Sequence, residues 1–261
     1  MAPVLLTTID NRGVARLTMN RPEVRNAFNE ALIGAICDQA AKLSTDQNVR
    51  VIVITGAGST FCAGADLDMM RRVADYSPQE NKDDARRLAH MLHSIYSCEK
   101  PTIALVNGAA MGGGVGILAA CDIAIAAEDA VFGLTEVKVG LIPAVISPFV
   151  MRAMGTRQAR RFFMTGERFD AETARRISLV HMVALGSQLE ATLEAVIKDL
   201  LASGPGAQKE VKELIRAVAF QPVDERTMED TATRIARVRS SPEGREGVLA
   251  FLEKRKPDWA R

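Results

Sequence analysis

The sequence predicts a mixed α/β fold of mostly parallel sheets covered by helices, followed by an all-helical C-terminal region. Three observations carry that reading. Apolar, β-branched runs of strand length alternate with segments of helical periodicity in the first part of the chain. At two places such a run passes through a glycine-rich loop straight into a helix. From Thr156 onward nearly every segment reads as helix.

Taken in order, Val4–Asp10 and Val14–Asn20 flank the turn residues Asn11-Arg12-Gly13 and predict a β-hairpin. Arg21-Pro22-Glu23 breaks the second strand. Asn26 is placed to cap a helix over Phe28–Leu43, where Leu32, Ile36 and Leu43 form an apolar stripe. Val49–Thr55 is an apolar strand, and Gly56–Met70 a glycine-rich loop entering a helix. Met70–Glu80 is polar and irregular, as a mobile flap would be. Asp83–Ser97 returns to helix with Leu88, Leu92 and Ile95 buried.

Pro101–Val106 is a buried strand, and Gly112, Gly113 and Gly114 then open a helix ending near Ala120. Ile123–Ala127 and Ala130–Gly133 are short strands, and Leu134–Ile142 continues partly extended. The helices beyond are Arg157–Phe163, Ala171–Ile177, Gln188–Ala202, Ala207–Val218, Glu225–Arg239 and Pro242–Lys254. Gly166, Gly186 and Gly204-Pro205-Gly206 separate them. Residues 1–200 are expected to form the core, and 201–261 a helical region that needs a partner surface, since short helices gain stability mainly from packing.

A composition of 48% hydrophobic and 25% charged residues is that of an ordinary globular chain. A net charge of +1 gives no global field that would favour nucleic acid or a membrane surface. No apolar run approaches the roughly 18 residues of a spanning helix. The first residues, MAPVLLTTID, lack a basic n-region and a long apolar core, so no secretory signal is expected. Cys37, Cys62, Cys98 and Cys121 are scattered with no CxxC, which suits reduced thiols in a cytoplasm.

The two strand–glycine–helix junctions are where chemistry is expected. Glycine lets a ligand approach the backbone, and the first turn of a helix has unpartnered N–H groups with partial positive charge. Tight strand–helix packing alone could also ask for these glycines. Two such junctions can aim two N–H groups at one oxygen, an oxyanion hole. The glycine patterns of nucleotide-binding loops fail. No GK[ST] run exists, GxGxxG breaks at Phe61, and no GxSxG is present. His90 and His93 share a helix without a third ligand, so no metal is expected. His181 begins a strand. Met69-Met70 fits either an acyl pocket or the core, and Arg71-Arg72 a solvated pair.

Phe61–Leu67 (FCAGADL) with Asn107–Gly116 (NGAAMGGGVG) resembles the enoyl-CoA hydratase/isomerase, or crotonase, family. Arg21–Phe28, Cys121–Pro143 and Phe251–Trp259 are similar to it in the same order. The resemblance implies a spiral of ββα repeats with a C-terminal helical trimerisation arm. It implies trimers, often paired into hexamers, and an acyl-CoA thioester as the substrate, with no cofactor. Its carbonyl oxygen would take N–H bonds from Ala65 and Gly113, each donor contributing about 3 kcal/mol. The loops around Arg25–Ala27 and Ala63–Leu67 would hold CoA, including Arg25, Ala27, Ala63, Asp66 and Leu67. Lys254 and Lys256 would reach a CoA phosphate, here or on a neighbouring subunit.

The carboxylates depart from the family pattern. Of two expected glutamates, the first position is Gly116 and only the second, Glu136, is present. Glu136 in a partly apolar pocket would have a raised pKa suited to proton transfer. Asp66 and Asp122 read as structural, near a helix start and at a strand junction, and Asp68 is a reserve acid. If the stretch is extended, Lys138 shares a side with Glu136 and could meet a substrate carboxylate. GGGVG, with LIPAVISPFVMRAMG after Glu136, resembles the methylglutaconyl-CoA and isohexenylglutaconyl-CoA hydratases. A hydratase acting on a branched or glutaconyl-type 2-enoyl-CoA is therefore expected. The alternatives are a 3,2-enoyl-CoA isomerase using the single glutamate, and a non-catalytic or RNA-binding crotonase-fold protein. The last would want a basic stripe, and Phe28–Leu43 has one lysine and no arginine.

Overall fold

The computed structural model describes residues 2–73 and 75–260. β1 (Leu5–Ile9) and β2 (Val14–Met19) form the hairpin, and α1 (Glu30–Thr45) follows. Next come β3 (Val51–Gly56), β4 (Thr60–Cys62), α2 (Leu67–Val73) and α3 (Pro78–Tyr96). The next turn of chain is β5 (Thr102–Val106), β6 (Ala109–Met111) and α4 (Gly113–Ala120). Then β7 (Ile123–Ala127), β8 (Val131–Gly133), a 3-10 turn at Glu136–Val139 and α5 (Ser147–Thr165). β9 (Arg168–Asp170), α6 (Ala171–Arg176), β10 (Met182–Ala184) and α7 (Leu189–Ala202) complete the core. The tail is α8 (Pro205–Val218), α9 (Glu225–Ser240) and α10 (Pro242–Leu252).

The strands sort into two sheets, ordered β1-β2-β3-β5-β7-β10 and β4-β6-β8-β9. Among the described residues only the end pairs β1–β2 and β8–β9 are antiparallel. Each of the pairs β3/β4, β5/β6 and β7/β8 gives one strand to each sheet before the chain returns through helix. That is the expected ββα spiral. In β3, Ile52 and Ile54 enter the main core while Val51 and Val53 face the other way, onto Leu193 and Ile197 of α7. Both faces of the central strands β3, β5 and β7 are thus buried, which is why they are apolar almost throughout.

Several local expectations are corrected. The cap of α1 is Asn29, whose side chain accepts from Leu32 N–H, not Asn26. Asn26 is fully buried in the left-handed conformation (φ 57°) and donates to the carbonyls of Ala57 and Thr60 at 2.9 and 2.7 Å. The supposed flap Met70–Glu80 is largely helical, with Ala74 outside the described residues. Ser77 and Glu80 form a reciprocal capping box at the start of α3. β4 and β6 hide inside the two glycine-rich stretches, whose flanking glycines make so short a run read as loop. Leu134–Ile142 is not extended but contains the 3-10 turn, and α5 begins well before Arg157, broken internally at Gly155.

The tail is tied to the core by polar contacts. Lys212 of α8 reaches Asp122 at 2.6 Å and the carbonyl of Lys100 at 2.9 Å. Asp122 also accepts from the N–H and hydroxyl of Thr102, so the expected strand-junction role is filled. Arg50 donates to the carbonyls of Ser203 and Trp259. The helices nevertheless leave Val211, Ile215, Phe220, Val223, Met228 and Phe251 exposed.

Candidate active site

The parallel strands β4, β6 and β8 lie side by side and end at Cys62, Met111 and Gly133. Ala65, Gly113 and Glu136 follow those ends within a few residues, so all three emerge at one edge of the small sheet. Ligands of parallel sheets sit outside the carboxyl ends of strands for this reason. The backbones are in close contact there. A Cβ on Gly64 would stand 3.0 Å from the carbonyl oxygen of Met111, and one on Gly114 would stand 2.6 Å from that of Cys62.

Ala65 is exposed at the centre of an isolated parallel bridge to Phe28. Phe28 N–H donates to Gly64 O at 2.7 Å, and Phe28 O accepts from Asp66 N–H at 2.9 Å. Those bonds use the peptide groups on either side, so the N–H of Ala65 itself points away from Phe28. Gly113 is the first residue of α4, where the N–H has no partner within the helix. Gly112 before it sits at φ 49°, ψ −116°, a conformation open to glycine, and its N–H donates to Gly133 O at 2.8 Å.

Glu136 begins the 3-10 turn, and its Oε1 would be 3.1 Å from a Cβ on Gly112. The carboxylate therefore lies directly over the residue preceding Gly113. Its Oε2 is buried without a hydrogen-bond partner. Burial pushes this carboxyl above the usual carboxylate range, against a smaller lowering from its own backbone N–H. A half-buried acid with one free oxygen is poised to exchange a proton with whatever enters.

The first-glutamate position is closed. Gly116 is buried in α4, and a Cβ there would be 2.5 Å from Ile146 Cγ2 and 3.4 Å from Leu92 Cδ1. Ile146, only 3% exposed, fills the space a side chain would need. Ile146 was not legible as a site neighbour from the sequence, because it lies 30 positions from Gly116 and nothing local links them.

Beside Ala65 opens a cleft of about 570 Å³ lined by Arg25, Ala27, Ala63, Asp66, Leu67 and Asp68, together with Arg71. Asp66 is structural as expected. Its side chain caps α2 through Asp68 N–H and pairs with Arg21 at 2.8 Å. Burial raises its pKa, but the Arg21 and backbone N–H bonds outweigh that and hold it below the ordinary value. Asp68 is exposed and pairs with Arg71. Met69 is core and Met70 is exposed.

Lys138 does not share a side with Glu136. In a 3-10 turn, residues two apart diverge by about 120°. Its stem instead lies over Gly166 at the end of α5, within 3.1 Å of where a Cβ would be. Lys254 and Lys256 are exposed beyond α10 and do not line the cleft. His90 and His93 are exposed, and no metal-binding cluster exists among the described residues. His181 precedes β10, where its Nδ1 accepts from Ala124 N–H. The cysteines are free, and burial pushes the Cys62 thiol up to about 12. Among the described residues no helix is long and apolar enough to cross a membrane.

Ala65 and Gly113, after two of the strands, and Glu136, after the third, thus come out at one edge of the small sheet. The enoyl-CoA hydratase/isomerase family model matches residues 10–261. An enoyl-CoA hydratase structure from Shewanella pealeana superposes with a TM-score of 0.95 at 41% identity, covering 98% of this chain and 96% of that one. Pseudomonas aeruginosa AtuE gives 0.94 at 37%, covering 99% and 100%. An enoyl-CoA hydratase from Mycobacterium smegmatis gives 0.93 at 34%, with the same coverage. The chain belongs to the enoyl-CoA hydratase/isomerase family, as an enzyme of the enoyl-CoA hydratase type.

Proposed function

We propose that the protein adds water reversibly across the double bond of a 2-enoyl-CoA, of branched or glutaconyl type such as 3-methylglutaconyl-CoA. The observation that carries this is Glu136, a half-buried carboxylate lying over the glycine next to Gly113 with its Oε2 buried and unpartnered. The thioester oxygen takes hydrogen bonds from the N–H groups of Ala65 and Gly113. The Glu136 carboxylate removes a proton from water as its oxygen bonds to C3. Electrons move to the thioester oxygen, giving an enolate held by the two donors. The proton on Glu136 then passes to C2, and the carboxylate is regenerated. One acid closes the cycle, because what it removes it gives back.

The CoA moiety lies along the cleft of Arg25, Ala27, Ala63, Asp66, Leu67 and Asp68. The glutaconyl class is supported by the GGGVG run and the stretch after Glu136. Lys138, turned onto Gly166, contributes nothing to it. The chain itself supplies the acid and donors, so no cofactor is invoked.

Gly116 favours a second reading. With one carboxylate, the same site can move a 3,4 double bond to the 2,3 position. Adding purified protein to crotonyl-CoA or 3-methylglutaconyl-CoA separates the two. A hydratase bleaches the conjugated thioester absorbance at once. No bleaching with either, and a rise in that absorbance from a 3-enoyl-CoA, would establish the isomerase.

Residues 201–261 serve as an oligomerisation region, forming a trimer or a dimer of trimers in the cytoplasm. The exposed apolar residues of α8–α10 support this, since a lone chain would leave a large patch wet. Light scattering on the purified protein should give a mass three or six times 28.2 kDa. A monomer at micromolar concentration would remove the arm's assigned role.

A further inference from the structure

Phe28 meets both segments that carry the backbone donors. Its N–H and C=O bracket Ala65 through the bonds to Gly64 and Asp66. Its ring edge faces Gly113, where a Cβ would lie 2.5 Å from Cε2 and 3.1 Å from Cδ2. Phe28 is 2% exposed and belongs to the main core. On one side the chain is pinned by Asn26, with its side-chain bonds to Ala57 and Thr60. On the other it is pinned by Asn29, the cap of α1. One residue is thus bonded to the segment of the first donor and wedged against the Cα of the second.

The geometry points to Phe28 as a positioning residue that sets the spacing of the Ala65 and Gly113 N–H groups. The assignment rests on the donor-pair reading above. Two donors stabilise one oxygen only if both lie about 2.7–3.1 Å from it. The two come from different strands, and no covalent link holds their separation. The Phe28 main chain fixes one, and its rigid ring stops α4 from sliding toward it. Phe28 contacts no reacting atom; it acts through the two amides. A shorter side chain would let the N-terminus of α4 settle, and a misplacement near 1 Å costs about 100-fold in rate.

The test uses the full-length protein, with butyryl-CoA carrying a ¹³C-labelled carbonyl as the bound, unreactive probe. The infrared carbonyl stretch of the bound thioester reports the donor pair directly, which a purely structural residue would not move. In the wild type the stretch should shift to lower frequency on binding. F28L should lose part of that shift and about tenfold in kcat, and F28A most of it and about 100-fold, with KM changed far less. G113A alone should also be impaired, because its methyl meets the ring. F28A/G113A should regain activity over G113A, since the ring no longer occupies that place.

A full carbonyl shift and normal kcat in F28L and F28A overturns the proposal, as does strict additivity in the double variant. F28L preserves core volume best and decides the matter alone if F28A does not fold. A wild type that binds butyryl-CoA with no carbonyl shift sinks the donor-pair reading itself, and the role of Phe28 with it.

Discussion

Glu136→Gln is expected to lower turnover of a 2-enoyl-CoA by about 10²–10⁴-fold while leaving butyryl-CoA binding nearly unchanged. The amide keeps the shape of the side chain and removes only the proton exchange. The same variant should be more stable than the wild type at neutral and alkaline pH. Burial raises the Glu136 pKa above its ordinary value, so the folded protein holds that proton more tightly than the unfolded chain does. The contribution of Glu136 to folding stability is therefore greatest below the ordinary carboxylate range and falls as pH rises through the window up to the raised value. Above that window the ionised, half-buried carboxylate destabilises the fold relative to glutamine. Thermal unfolding across pH should show a gap that closes in acid. The acid limb of the activity profile should likewise lie above the normal glutamate range, because the base must be ionised to take a proton from water. A Gln variant with wild-type turnover would remove Glu136 from the reaction.

Gly116→Glu, which restores the family's first carboxylate on paper, is expected to damage the protein rather than improve it. Its Cβ would sit 2.5 Å from Ile146 Cγ2, inside a packed core. Overpacking of this kind costs about 1–3 kcal/mol, and an unpartnered buried carboxylate adds several more unless it protonates. In a chain of this size each kcal/mol is worth about 2–4 °C in Tm. A drop near 10 °C is the expected result, with no gain in hydration. Gly116→Glu with Ile146→Ala should recover part of the loss, because it vacates the space. Differential scanning fluorimetry checks both. A single variant as stable as the wild type would show that α4 can move away from Ile146, and the account of a closed first position would be wrong.

Gly116 and Ile146 also show where sequence reading stops. The glycine at 116 identifies what is missing, because an absent side chain is visible in one dimension. What fills its place is not, because Ile146 belongs to a different turn of the spiral. Lys138 errs in the other direction. Two residues beyond Glu136, it looks co-facial in an extended stretch, but a 3-10 turn rotates it onto Gly166. β4 and β6 were hidden in glycine loops for a related reason. Each lies inside a glycine-rich stretch that reads as loop, and their pairing is long-range.

The sequence by itself determined the two strand–glycine–helix junctions, the single glutamate and the α/β-then-helical order, because each is a local pattern of backbone freedom, charge or periodicity. Tertiary structure alone decided that Ala65, Gly113 and Glu136 emerge at one sheet edge, that Ile146 closes the position at 116, and that Phe28 lies between the two donors. Those are distances between segments far apart in the chain. They are set by strand pairing and core packing, which no local pattern encodes.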